Sequence, residues 1–312
     1  PLNQSWIEPA SEFVNSQFPE AVATLGKLVK IPGIAWESFD SNNLDRSAAA
    51  VAAELEALQV FDTVEIRRSA KPDGELGAPA IVARRAGAAD APHVLLYAHH
   101  DVQPPGAREL WKTEPFEATL VGDRLFGRGA SDDKSGIITH LYSLKTLKKL
   151  VSSLRLGITV FIEGEEEAGS ESFPNFLREN QADLEADLII VADSGNWSED
   201  VPALTTSLRA MVSQTFTIRT LDHAVHSGMY GGPLRDATGA MIKLLATLTD
   251  EQGNVAIAGL DSIPVDGPDL SDAEFGVAAG LLPGVKRLGT KSATQQIWGE
   301  PAVTVIGMDI PH

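Results

Sequence analysis

Cysteine is absent from this chain of 312 residues, and that absence removes several chemistries at once. Without a thiol there is no disulfide framework, no thiolate zinc site and no cysteine nucleophile, so any metal must be held by imidazole and carboxylate. Cations are scarce as well: Lys and Arg total 25 against 43 Asp and Glu, a formal charge of −18. Such a surface repels a phosphate backbone and argues against nucleic acid as a partner. No apolar run is long enough to cross a bilayer, so no membrane partner is expected. The opening segment, Pro1-Leu2-Asn3-Gln4-Ser5, has neither the basic stretch nor the apolar core of a secretory leader. It also lacks an initiator Met, so the expectation is a cytoplasmic protein whose amino end has been trimmed. A Gly-x-Ser-x-Gly elbow is missing too, which removes the serine-hydrolase reading.

What is present is enough apolar sequence, 43% of residues, to bury a sizeable core, in a chain longer than the usual single domain. Two domains are expected. Helical composition dominates residues 19–29 and 47–58, followed by a short alternating strand at 63–66. Residues 93–98, 157–162 and 187–192 are apolar runs too short for good helices and read as buried strands in parallel pairing. Between them, residues 135–150 place Ile137, Ile138, Leu141, Leu144 and Leu147 at helical spacing, with Lys145, Lys148 and Lys149 at the end where cations suit the macrodipole. His140 on that helix reads as a packed histidine at the core edge. After Pro202 the pattern changes: an alternating strand within 204–220, a helix over 235–249 and a final strand over 302–308. The expected fold is α/β, with one domain over residues 1–204 and a smaller one over 205–312. That second layer stops directly after a strand, which reads as an unfinished unit and a fragment of a longer chain.

Acidic and histidine clusters follow the apolar runs. In His99-His100-Asp101 the strand period sends His99 and Asp101 to one side and His100 to the other. A carboxylate beside an imidazole fixes its tautomer, as it does for metal-bound His; the alternative is a pair of strand-end histidines bonded to backbone. Residues 127–136 look like a phosphate loop but lack its Gly-Lys-Ser/Thr ending. Asp132 and Asp133 open a helix and read either as caps or as ligands. In Glu163-Gly164-Glu165-Glu166-Glu167, like charges crowd a strand end. A cation would relieve that repulsion, and one glutamate could ligate while its neighbour, its pKa raised, serves as general base; the alternative is a solvated acidic loop. Asp193 ends a strand where a turn aspartate is common. His226 lies in a glycine-rich loop where it could polarise a carbonyl or simply face solvent.

Taken together, residues 97–104, 127–134, 166–170, 193–194 and 226–232 resemble, in order and spacing, the dinuclear zinc peptidase family of carnosinase-type dipeptidases, aminoacylases, glutamate carboxypeptidases and desuccinylases. The resemblance implies a catalytic domain with a mainly parallel sheet flanked by helices, and an inserted smaller α/β lid and dimerisation domain. It implies two Zn2+ per subunit, with Mn2+ or Co2+ as substitutes. Asp132 would bridge them, His99 and Asp193 would complete one site, and Glu167 would ligate the other. Glu166 would be the general base toward a metal-bridging water, and Asp101 would orient His99. His226 would reach a substrate carbonyl in the other subunit of a homodimer formed through the lid. Segments 101–104, 111–116 and 123–127 are most similar to the dipeptidase branch, whose substrates are dipeptides or short peptides. Hydrolysis of N-acyl amino acids is the alternative within the family. A catalytically incompetent fragment that only binds metal or dimerises is the alternative outside it. The family's last histidine ligand and the arginine that holds the substrate carboxylate follow the lid, and His312 does not match that ligand.

Overall fold

The computed structural model describes residues 4–310; His312 lies outside them. The chain divides into two compact units between Ala203 and Leu204. The first contains, in order, α1 (Ile7–Val29), α2 (Asn42–Ala57), β1 (Thr63–Arg67), β2 (Ala80–Arg85), β3 (His93–His99), β4 (Thr119–Val121), β5 (Arg124–Phe126), α3 (Lys134–Leu150), β6 (Gly157–Glu163), α4 (Phe173–Glu179), α5 (Gln181–Leu184) and β7 (Leu188–Val191).

The main sheet has the order β1-β2-β6-β3-β7. Because β2 is antiparallel to both β1 and β6, whereas β6, β3 and β7 pair in parallel, four of the five strands run one way and only β2 is reversed. β6 is buried at every position, which is why it reads as a continuous apolar run with no polar face. Its alternate residues feed separate cores. Ile158, Val160 and Ile162 pack with Leu28 and Val29 of α1, Val51 and Leu55 of α2, and Ile137, Leu141 and Leu144 of α3. Phe161 points the other way to Phe176 of α4 and Leu184 of α5, stacking on Phe176 with ring centroids 5.1 Å apart. Helices therefore cover both faces.

The parallel register fixes where the strands end. β3 and β6 pair from His93↔Gly157 to His99↔Glu163, so their carboxyl ends lie side by side. On the other side Tyr97 pairs with Val191, which brings the segment after β7 to the same edge. The expectation of a buried strand at 187–192 is corrected here. β7 is the edge of the sheet, paired on one side only, and its residues are 44–59% exposed. α1 is also longer than expected and runs from Ile7 through Pro19, so the proline is an interior residue and not a helix start.

The second unit contains α6 (Ser227–Tyr230), α7 (Ala237–Leu245), α8 (Asp272–Ala279) and α9 (Ala293–Trp298). Asp236 caps α7 by accepting from the Gly239 N–H, and Ser271 with Glu274 closes a capping box on α8. The strands expected within 204–220 and 302–308 are not formed among its described residues. Their alternation has no partner strand to pack on, and Leu204, Met211 and Ile306 are almost fully exposed.

Lys134 joins α3 to α1. Its fully buried ammonium group donates to the carbonyls of Leu28 at 2.8 Å and Ile31 at 2.7 Å, a second donor for oxygens that also accept from the backbone N–H groups of Ile31 and Gly33 just beyond α1. Burial pushes its pKa down to about 7, against a small opposing pull from Asp101. A lowered lysine pKa means that between pH 7 and the unfolded value the unfolded chain holds more protons, so this group's contribution to stability grows as pH rises through that window. Lys134→Met should therefore lose about 1–3 kcal/mol at pH 9, from two lost hydrogen bonds, with a smaller gap at pH 6. Urea unfolding in EDTA at the two pH values tests this; equal stabilities at pH 9 would refute it.

Candidate metal centre

The register that aligns the ends of β3 and β6 sets His99 beside the acidic loop that follows β6. His99 and Asp101 turn to the same side: imidazole Nδ1 lies 3.3 Å from Asp101 Oδ1 and 3.1 Å from the Asp101 carbonyl. Both neighbours are acceptors, so Nδ1 carries a hydrogen, and Nε2 faces Asp132 Oδ1, 3.1 Å away, where it donates while the ring is protonated and offers its lone pair once that proton is lost. His100 turns the opposite way, is fully buried and places Nε2 2.8 Å from the Pro79 carbonyl. The two readings of this motif are thus divided between its two histidines. Burial lowers the His100 pKa.

Asp101 is itself fully buried and works across both loops. Its Oδ1 accepts from the Glu166 N–H at 3.2 Å and its Oδ2 from the Glu167 N–H at 3.0 Å. The acidic run that looked uniform in sequence is divided in the same way. Glu163 is buried and accepts from Tyr97 Oη at 2.8 Å and Ser170 Oγ at 2.5 Å. Glu165 is buried and accepts from the N–H groups of Ala78 and Ser172. These two hold the loop. Glu166 and Glu167 lie on the 3₁₀ turn Glu166–Ala168, within reach of the imidazole and of Gln103 respectively. Gly164 permits the crossing, since a Cβ there would overlap the Pro79 carbonyl oxygen and the His100 ring.

At the start of α3, Asp133 occupies the cap position but makes no capping hydrogen bond with its side chain. Its Oδ2 accepts instead from the His99 N–H at 3.1 Å. Gly136 allows this close approach, because a Cβ would strike the Ala192 carbonyl and the Asp133 carboxylate. Asp193, just beyond β7, brings Oδ2 to 3.8 Å from His99 Nε2, and Glu166 brings Oε2 to 3.9 Å. Two sets of ligand atoms result, each with its members within 4.8 Å of one another: His99, Asp133, Asp193 and His99, Asp132, Glu167. A cleft of about 240 Å³ opens along residues 131–133 and 193–195.

The electrostatics show the strain of this concentration of charge. Burial alone would lower the His99 pKa, but the hydrogen bond and charge of Asp101, with the charges of Asp133 and Asp193, lift it to about 10. Burial raises Asp133 to about 7 in spite of the His99 N–H and charge, with Asp193 and Asp132 adding repulsion. Glu166 and Asp193 are raised as well, chiefly by burial, with His99 opposing and neighbouring carboxylates adding to the shift. One imidazole among carboxylate oxygens is a donor set that suits Zn2+, with Mn2+ and Co2+ also acceptable.

Of the residues singled out in sequence, His99, Asp101, Asp132, Glu166, Glu167 and Asp193 come together in this unit. His226 belongs to the second unit, where it is exposed and caps α6, its Nδ1 accepting from the Gly228 N–H at 3.1 Å. Two participants have no role in the resemblance. Asp133 reads in sequence, with Asp132, as either cap or ligand, and Gln103, which donates to Glu167, is visible only as part of a motif. His140 is buried and places Nε2 2.8 Å from the Tyr97 carbonyl, away from the cluster's ligand atoms.

The chain resembles a cysteinylglycine-S-conjugate dipeptidase from Corynebacterium striatum, with 35% identity over 84% of this chain and 57% of that protein. It also resembles the Beta-Ala-His dipeptidase of Rattus norvegicus, with 28% identity over 83% of this chain and 54% of that protein. The chain thus spans little more than half the length of these relatives. In fold it is similar to the crystal structure of human carnosine dipeptidase 1, with a TM-score of 0.68 and 23% identity over 98% of this chain and 69% of that one. Residues 95–298, which include the ends of β3, β6 and β7 and all the ligand atoms described above, match the family described as Peptidase family M20/M25/M40, and the chain belongs to that family.

Proposed function

We propose that this chain carries the metal-binding and base-bearing part of a metal-dependent dipeptidase. The observation that carries this reading is the position of Glu166. It stands outside both sets of ligand atoms, yet within 3.9 Å of the imidazole they share. Its side chain is 40% exposed and its pKa is raised, chiefly by burial. A carboxylate so placed can accept and return a proton without also being a ligand.

In this reading His99, Asp132, Glu167 and Asp193 would hold two Zn2+ ions. When bound, those ions polarise the scissile carbonyl and lower the pKa of water. Glu166 takes a proton from the attacking water as the new C–O bond forms at the peptide carbon. It returns that proton to the amine nitrogen as the C–N bond breaks, giving a free carboxylate and a free amine. Asp101 keeps the His99 hydrogen on Nδ1 throughout. His226 of a second copy would donate to the carbonyl oxygen as negative charge develops there. The unit from Leu204 onward serves as a lid and as the surface through which two copies pair, in the cytoplasm. The names of the relatives favour dipeptides over N-acyl amino acids as substrates.

Glu166→Gln should lower kcat for Cys-Gly or β-Ala-His hydrolysis by about 10²- to 10⁴-fold with zinc content unchanged. Loss of zinc together with activity would make Glu166 a ligand, and full activity would sink its role as base. Metal binding at pH 7 must also displace the His99 proton, given its pKa of about 10. Zn2+ affinity should therefore fall by at least about tenfold per unit as pH drops from 8 to 6. Titration calorimetry in buffers of different ionisation enthalpy should register about one proton or more released per chain as it fills. An affinity that does not change over this range would refute the proposed His99 ligation.

A further inference from the structure

We propose that Gln103 is a positioning residue for Glu167, fixing the carboxylate in the orientation a cation requires; this rests on the metal-centre reading above. The loop leaving β3 carries Asp101, and two residues later Gln103. Gln103 Nε2 donates to Glu167 Oε2 at 2.8 Å and to the Glu167 carbonyl oxygen at 3.0 Å. One primary amide has two hydrogens, and both are directed at one residue. Asp101 holds the same residue from the other side by accepting its N–H at 3.0 Å. Glu167 is therefore fixed at its amide nitrogen, its carbonyl and its carboxylate by residues of a single loop, before any ion arrives.

The chemistry of the amide suits this role. It occupies lone pairs of Oε2 and of the carbonyl while leaving the remaining carboxylate lone pairs to a ligand. It is also neutral, whereas a lysine or arginine in its place would hold Glu167 equally well but repel the incoming cation. Its reach matters too, because an asparagine is one methylene shorter and could not span both acceptors.

The test is the Zn2+ affinity of the whole chain, measured by competition with a chromophoric chelator. Gln103→Met keeps the volume and removes both donors. It should weaken Zn2+ binding by about 10- to 100-fold while leaving the melting temperature in EDTA unchanged. Gln103→Asn, which keeps an amide, should show the same loss, and it decides the matter if the methionine variant is poorly folded. In a Glu167→Ala background the Gln103→Met change should alter Zn2+ affinity by less than about twofold, because its effect passes through Glu167. Unchanged affinity in both Gln103 variants would overturn the proposal, as would an equal loss with and without Glu167. A wild-type chain that takes up no Zn2+ would instead overturn the metal-centre reading itself.

Discussion

The carboxylate of Asp101 is the interaction on which the centre depends. β3 and β6 end side by side, but beyond the last backbone bond, from the His100 N–H to the Glu163 carbonyl at 2.9 Å, the sheet no longer holds the two following loops together. Asp101 supplies that link, since one buried anion faces the His99 imidazole and accepts the N–H groups of Glu166 and Glu167. A buried carboxylate needs hydrogen-bond donors for its oxygens, and here the donors are the elements whose placement matters most. The same contact sets the His99 tautomer and the direction in which the next two glutamates leave the backbone. Removing it would orphan backbone N–H groups and free the ring to turn, so the fold and the site would fail together.

Around that link the protein concentrates charge of one sign. The buried lysine nearby, Lys134, is turned toward the carbonyls of Leu28 and Ile31 and does not neutralise the cluster. In the absence of a metal, relief comes from protons: His99 is held charged and Asp133, Glu166 and Asp193 hold their protons more firmly than free carboxylic acids do. A carboxyl group whose pKa is raised on folding loses stability for the fold as pH climbs past its unfolded value, because ionisation then opposes the folded state. A divalent cation removes that opposition without acid. The arrangement is thus poorly matched to its own empty form and well matched to an occupied one, as sites selected for function commonly are.

Much of this could be read from sequence because the period of each element survives in its residues. The unbroken apolar run of β6 and the helical spacing from Ile137 to Leu144 belong to the best-buried elements, and both formed where expected. The pairing of His99 with Asp101 was expected from a strand period, and the structure brings them together although β3 ends at His99 and Asp101 lies in the loop beyond it. Other features depended on tertiary context. β7 has the composition of a buried strand but lies at the sheet edge, and composition carries no information about how many neighbours a strand has. The alternation around Met211 and Phe216 predicted a strand that is not formed, because alternation describes a surface that still needs a partner to pair with. Gln103 could not be found by charge or metal-ligand chemistry, since an amide is neither; only the loop geometry brings it to Glu167.

The acidic run after β6 shows how the fold assigns different tasks to identical side chains. Glu163 and Glu165 sit in the sheet's end and beneath the turn, where donors from Tyr97, Ser170, Ala78 and Ser172 saturate them. Glu167 is tied to Gln103 and belongs to a ligand set, so it is held in one orientation. Among the described residues no hydrogen bond restrains the Glu166 carboxylate, and it stands partly in solvent beside the imidazole. A ligand benefits from being fixed, because ordering it beforehand lowers the entropy cost of binding. A general base must instead reach one atom to collect a proton and another to deliver it. Restraint and exposure therefore favour Glu167 as ligand and Glu166 as base on grounds independent of any relative, and the difference arises from which neighbour the 3₁₀ turn presents to each.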